Sequence, residues 1–395
     1  MKIILGGEPL LGNLTGIGQY TRHVLEGLRQ APAIDQVSVY LHGRLISASQ
    51  ALEMANGQSD PQADRPNFPL LARMHGRASR SDLLVRAYRT IAPAMYAWGL
   101  RGSKRTDLFH SPNFLLPSAF PGRVIVTVHD LSTWLHPEWH PAGRSALVNH
   151  HLRRLACDTC AILTISDLVK RQLVEHLHIP AERVRVTPLG AASEFAPIDA
   201  RRFDTACPFP KLEYKRYFLA LATLEPRKNL QRLLDAWIEY RRARGSQALP
   251  LVLAGEAGWQ CEDLLHRIAR IPDNGNLIRL GYVDQENVPT LVAGARALLF
   301  PSLYEGFGLP VLEALQSGTA VLTSRGTPME ELVGEAAWLV DPTDTSSITH
   351  AIESLHDEEA TMSKRVEMGL QRAGHYSWQN CVASTIEAYQ ELLNR

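Results

Sequence analysis

The chain has 395 residues, 45% hydrophobic and 21% charged, with 41 basic and 41 acidic side chains and a formal net charge of zero. That length exceeds the roughly 100–200 residues of one domain and predicts two. The balanced charge removes any global electrostatic reason to expect nucleic acid, and no stretch reaches the roughly 20 apolar residues of a membrane span, so membrane contact would be peripheral.

The first apolar run, "MKIILGGEPLL", meets glycine too early for a signal peptide and predicts a strand, hence a cytoplasmic location. A glycine-bearing loop, "GNLTGIGQYTR", follows, then a helix whose apolar positions Tyr20, Val24, Leu25 and Leu28 recur at helical spacing. "RVIVTVHD" is a β-branched run of the kind buried on both faces of a parallel sheet. "AILTISD" repeats that form ahead of a helix starting near Asp167, and "RVRVTPLGA" is a short strand stopped by Pro188 and Gly190. Residues 196–216, rich in proline and charge, read as a linker. After them strands and helices alternate again from "YFLALATL" to "AAWLV", and a final helix from Tyr376 has no strand after it. The pattern predicts an α/β fold with two parallel sheets: domains 1–196 and 197–375, with 376–395 a helix free to pack across them. Five scattered cysteines do not read as a disulfide framework. The lone CxxC of Cys157 and Cys160 predicts two buried thiols on a helix face rather than a zinc site.

Three loops carry chemistry. "TGIGQYT" lacks the third glycine of a dinucleotide fingerprint, Thr21 standing there, so hydride transfer is disfavoured. It can be an anion site at a helix N-terminus, or a turn needing Gly16 and Gly18 at positive φ. "TLEPRKNLQRLL" follows a strand and places Arg227 and Lys228 at its carboxyl end, before a helix with Asn229 as N-cap. Two adjacent cations there suit a diphosphate and could neutralise a departing phosphate without a metal, although a solvated surface pair fits the dipeptide alone. In "YEGFGLPVLEAL", Gly306 and Gly308 allow close backbone approach, and a helix starting near Leu309 or Pro310 aims free N–H groups at the same place. Carboxylates repel phosphate, so Glu305 and Glu313 call for hydroxyl-rich partners, a sugar ring and a ribose. A diphosphate flanked by two polyols is a nucleotide sugar.

Those motifs together, Glu305-x7-Glu313 in "EGFGLPVLEAL", "PRKN" after a strand, and "TGIGQYT" and "VHD" in the first half, are similar to retaining glycosyltransferases of family 4. The resemblance covers nearly the whole chain. It implies the GT-B fold, two Rossmann-like domains facing across a cleft, with the C-terminal helix crossing back to the first. It further implies that Glu305 contacts donor-sugar hydroxyls, Glu313 the ribose, Arg227 and Lys228 the diphosphate, and Gly16 the phosphate side. Gly306, Phe307, Gly308 and Leu309 would form the donor-binding turn, and His129 would lie near the donor sugar. Taken alone, His129 reads as a core histidine satisfied by backbone. No cofactor and no metal are implied; retention at the anomeric carbon is.

The first domain is the acceptor side in that family. Here residues 71–105 carry eight basic residues against the single acid Asp82, with Leu84, Tyr88, Ile91, Met95 and Trp98 at helical spacing. Such a stretch suits an anionic membrane surface holding a lipid-linked acceptor, at the inner face of the cell membrane; a core-facing helix of the first domain is the alternative. The expected activity is transfer of a hexosyl unit, mannose or a deoxymannose from a GDP-sugar, onto a lipid-linked or growing surface polysaccharide. Rival readings are a nucleotide-sugar epimerase, a phosphorylase or a UDP-sugar-dependent transferase on the same fold, and a non-catalytic nucleotide- or carbohydrate-binding protein.

Overall fold

The structure, a computed structural model, describes residues 1–395 apart from 12–13, 15, 56–98, 101–105, 117–119, 121, 158–159, 273–275 and 395. The basic stretch 71–105 therefore lies outside the described residues, save Gly99 and Leu100.

Contacts divide the chain into two units, Met1–Leu189 with Trp378–Arg395, and Gly190–Ser377. In the first, β1 (Lys2–Gly6), α1 (Gly16–Gln30), β2 (Gln36–Leu41), β3 (Arg44–Ser47) and α2 (Ala48–Ala55) precede β4 (Leu108–Ser111) and β5 (Arg123–Val128). Then come α3 (Ser132–Leu135), α4 (Ala142–Cys157), β6 (Ala161–Thr164), α5 (Asp167–Leu177) and β7 (Val184–Val186). The strands lie in the order β3-β2-β1-β4-β5-β6-β7, all parallel except the β2–β3 pair. The β-branched run of β5 is buried from Ile125 to Val128, as a strand covered on both faces requires. Val126 and Val128 pack with Leu152 and Leu155 of α4 and with Val169 and Leu173 of α5. The apolar stripe of α1, Tyr20, Val24, Leu25 and Leu28, is wholly buried. The last helix, α14 (Trp378–Asn394), belongs to this unit, its Trp378 ring stacking on His23 of α1 at 4.4 Å.

The second unit runs α6 (Ala200–Ala206), β8 (Phe218–Leu221), α7 (Leu230–Arg244), β9 (Leu251–Ala254), α8 (Glu262–Ala269), β10 (Leu277–Gly281) and α9 (Val288–Gly294). It continues with β11 (Ala297–Phe300), α10 (Leu309–Gln316), β12 (Ala320–Ser324), α11 (Pro328–Val333), β13 (Trp338–Val340), α12 (Thr345–Asp357) and α13 (Glu359–Ala373). Its sheet is parallel throughout in the order β10-β9-β8-β11-β12-β13. Trp237 and Tyr240 of α7 share a core with Leu251, Leu299 and Leu322 of the sheet and Ile348 and Ile352 of α12.

Three local expectations differ from the structure. The stretch 196–216 is not a free linker: α6 buries Phe203, and the Tyr214 hydroxyl donates to the Ile198 carbonyl at 2.6 Å. Apolar content hidden among its prolines and charges is what docks it. Cys157 and Cys160 do not share a helix face, since Cys157 ends α4 exposed while Cys160 is buried ahead of β6. Gly16 and Gly18 are helical rather than at positive φ. Gly18 is instead required by packing, because a Cβ there would lie 2.8 Å from the Pro9 carbonyl oxygen.

Candidate functional site

Both sheets share one topological feature. In the second unit the order reverses between β8 and β11, and in the first between β1 and β4. Loops leaving the carboxyl ends of strands at such a reversal splay apart and open a crevice for ligands.

At the second-unit reversal, the loop after β8 makes a 3-10 turn, Pro226–Lys228, and the loop after β11 carries Glu305. The backbone N–H of Leu303 donates to the Arg227 carbonyl at 2.8 Å, tying the two loops together. Glu305 receives Arg227 Nη1 at 2.8 Å on one oxygen and Lys228 Nζ at 2.5 Å on the other. Arg227 Nε faces Glu225 at 2.7 Å. Two cations and two carboxylates thus balance formally, and their side chains are no more than 18% exposed. Burial pushes the Glu305 carboxyl up, but Arg227 and Lys228 outweigh it and hold it below the usual range. Burial, then repulsion from Arg227, lowers Lys228, against the pull of Glu305 and Glu225. The Lys228 ammonium also lies 4.9 Å from the centre of the Phe300 ring. Without the carboxylates these adjacent cations would repel each other; with them, both are held oriented beside the strand ends.

Asn229 stands at the start of α7 but does not cap it. Its backbone is left-handed (φ 58°), which turns the side chain away from the helix. The amide instead donates to the carbonyls of Pro301 at 2.9 Å and Pro342 at 2.7 Å, joining the loops after β8, β11 and β13. The sequence reading also missed Glu225, the counter-ion of Arg227. Its only signal was an acid two residues ahead of that arginine.

Gly308 starts α10 at φ 106°, where a Cβ would meet the Met329 side chain at 2.5 Å. Both facts confine the position to glycine. Phe307 is buried, its ring edge-on to Tyr376 at 5.9 Å, so it serves packing within the unit, and Gly306 is buried beside it. Leu309 begins α10. Glu313, one turn further, is half-buried, and burial alone pushes its carboxyl up to about 8. Near neutral pH it is a protonated acid, able both to donate to and accept from hydroxyl groups.

His129 and Gly16 belong to the first unit. His129 follows β5, is buried, and hydrogen-bonds through Nε2 to the Pro112 carbonyl at 2.7 Å. A carbonyl only accepts, so Nε2 carries the proton and Nδ1 of the neutral ring is an acceptor. Burial lowers its pKa, against the Pro112 carbonyl and Asp130. The Tyr20 ring meets it edge-on at 4.9 Å. Behind it His110, unremarked in sequence, bonds Thr127 at 2.7 Å and Tyr389 of α14 at 2.6 Å, and burial lowers its pKa to about 3. Gly16 opens α1 with no described residue within 4 Å of an added Cβ.

Residues 208–372 match the family Glycosyl transferases group 1, and residues 14–195 match Glycosyltransferase Family 4. Over 99% of its length the chain is 34% identical to the whole of the O-antigen chain mannosyltransferase B of Escherichia coli. It is 30% identical to a serotype-specific mannosyltransferase, WbdA, of the same organism, over 69% of this chain and 34% of that one. Among solved structures, HepE of Anabaena in complex with UDP and glucose superposes with a TM-score of 0.70 at 16% identity, covering 99% of both chains. WaaG, a glycosyltransferase involved in lipopolysaccharide biosynthesis, superposes at 0.67 and 14% identity, covering 97% of this chain and 99% of that one.

Proposed function

Because the chain belongs to the group 1 and family 4 glycosyltransferases and has their GT-B fold, we propose that it transfers mannose from GDP-mannose to a growing surface polysaccharide. The observation that carries this reading is the neutral ion cluster of Glu225, Arg227, Lys228 and Glu305 at the reversal of the second sheet. The choice of mannose rests on the names of its relatives, the O-antigen mannosyltransferase foremost. The choice of guanosine follows from mannose and from no base-reading residue.

In the proposed reaction the bond between the sugar's anomeric carbon and the β-phosphate oxygen breaks, and a bond forms from an acceptor hydroxyl to that carbon. The hydroxyl proton passes to the departing diphosphate, attack coming from the same face, so configuration is retained. Charge builds on the diphosphate, and Arg227 and Lys228 stabilise it by surrendering part of their hold on Glu305. Glu305 then takes sugar hydroxyls, Glu313 the ribose hydroxyls, and the N-terminus of α10 at Gly308 and Leu309 the phosphate. In the first unit we assign Nδ1 of His129 to a sugar hydroxyl and Gly16 to the phosphate side, as the family resemblance implies. The cation pair does the work a metal would otherwise do, so activity should survive chelation.

The first unit is assigned to the acceptor. No described helix is long and apolar enough to cross a membrane; the segment we assign to contact with the inner face of the cell membrane is the basic stretch 71–105 of the sequence. The test is transfer itself: wild-type protein with GDP-mannose and a mannose-terminated oligosaccharide should lengthen the acceptor by one residue with the α-configuration of the donor, read by proton NMR. An inverted linkage, or transfer from a UDP-sugar in preference, overturns the respective part of the reading.

A further inference from the structure

The sheet of the first unit reverses between β1 and β4, and the residues that follow those strands and β5 gather there. Glu8 opens a short 3-10 turn, Glu8–Leu10, directly after β1, and Gly7 still pairs with the Tyr40 carbonyl at 2.8 Å. This sets the backbone from which the Glu8 carboxyl reaches the end of β1. A methyl group added to Gly6 would lie 3.4 Å from that carboxyl, 3.0 Å from the Pro112 ring and 3.8 Å from the His110 carbonyl oxygen. Pro112 in turn holds His129 through its own carbonyl. Glu8 and Pro112 thus both lie beside Gly6, and His129 is bonded to Pro112, at the carboxyl ends of β1, β4 and β5.

We propose that Glu8 is an acceptor-binding residue, its carboxyl taking hydroxyl groups of the polyol that receives the transferred sugar. This rests on the glycosyltransferase reading above and names a contact on the acceptor side. The chemistry of the position selects the ligand. Glu8 is half-buried and has no salt bridge among the described residues. Burial raises it to about 7, opposed only by its own backbone N–H. A structural carboxylate is ordinarily paired with a cation or capped by several N–H groups, and one that is neither loses stability for its position. A carboxylate would repel the donor diphosphate, and a single carboxyl is a poor cation site beside the several oxygens that calcium or magnesium requires. A carboxyl that can both donate and accept matches a sugar hydroxyl, which does the same. The second unit already provides separate carboxyls, Glu305 and Glu313, for the hydroxyls of the donor.

The test titrates methyl α-mannoside and α-mannobiose into full-length wild type, Glu8→Gln and Glu8→Ala, with and without saturating GDP, read by saturation-transfer NMR. GDP binding is measured in the same samples by calorimetry, and thermal unfolding confirms that both variants are folded; Glu8→Gln keeps the shape of the side chain. Sugar binding about tenfold weaker in Glu8→Ala and closer to wild type in Glu8→Gln, whose amide still donates and accepts, with GDP affinity unchanged in both, is the expected result and corresponds to loss of one hydrogen bond. Sugar binding equal in wild type and Glu8→Ala, or absent from wild type, overturns the inference. The GDP titration is independent of that outcome: a wild type that binds sugar but not GDP contradicts the donor assignment and leaves Glu8 in place.

Discussion

The two units solve the same topological problem with opposite electrostatics. Each sheet reverses beside its first strand, β1 or β8, and each gathers functional side chains in the loops that leave the carboxyl ends there. The second unit fills that place with two cations and two carboxylates locked to one another. The first places there Glu8, after β1, raised to about 7, and His129, after β5, with its pKa lowered and backed by the elements behind it: His110 of β4, also lowered, and Tyr20, Thr127 and Tyr389, joined by hydrogen bonds and ring contacts. A parallel sheet supplies the location of a site and leaves its chemistry to the loops. On the proposed reading the reversal with the ion cluster serves a diphosphate and the one with Glu8 and His129 an acceptor polyol.

The comparison can be broken most sharply at Lys228. Lys228→Ala should lower kcat by about 10²–10³-fold or more, the loss seen when a charge-stabilising donor is removed, while the Arg227 pair with Glu305 keeps the loop in place. Steady-state transfer rates with a circular dichroism check measure this, and full turnover would end the phosphate-clamp assignment. Glu305→Ala should act on stability, because it strands the buried Lys228 and leaves Arg227 with Glu225 alone. A loss of about 3–5 kcal/mol in urea unfolding is expected. A loss below about 1 kcal/mol would mean the cluster is solvated like a surface pair.

Smaller effects sharpen the picture. Asn229→Ala removes two hydrogen bonds between loops and leaves a left-handed backbone without a residue suited to it, for a loss of about 1–3 kcal/mol. Asn229→Gly should lose less, since glycine accepts that backbone. Equal losses would show that backbone conformation contributes nothing. Glu313 sets a pH dependence. Its folded pKa, about 8, lies above the ordinary 4.5, so the folded state binds more protons between those values and stability falls as pH rises through them. Wild type should therefore lose stability relative to Glu313→Gln between pH 5.5 and 8, measured by denaturant midpoints. Parallel curves would place the carboxyl in water.

Much of this was legible because it depends on local pattern. The runs "RVIVTV", "ALLF" and "AVLTS" became β5, β11 and β12, buried as continuous apolar strands must be. The pair of acids and the "PRK" turn stood out by position after strands. What was not legible depends on partners distant in sequence. β4 is four residues, "LFHS", too short for any period and half polar, and His110 within it is explained by Thr127, 17 residues away, and Tyr389, 279 residues away. Asn229 looks like an N-cap because asparagine at a helix start ordinarily is one; its actual partners, Pro301 and Pro342, belong to loops that the sheet order brings together. The same holds for the ion cluster, whose members are separated by 77 and 78 residues. Sequence could name Arg227, Lys228 and Glu305 but not that they would neutralise one another.

The central claim is that the charged reversal of the second unit receives a guanosine diphosphate without a metal. Calorimetric titration of the full-length protein with GDP, UDP, ADP and TDP, each with and without EDTA, tests it most directly. The account predicts that GDP binds most tightly and that EDTA leaves its affinity unchanged. Preference for UDP would contradict the choice of donor, binding lost with EDTA would contradict the metal-free clamp, and no binding by any of the four would contradict the assignment of the cluster to a diphosphate.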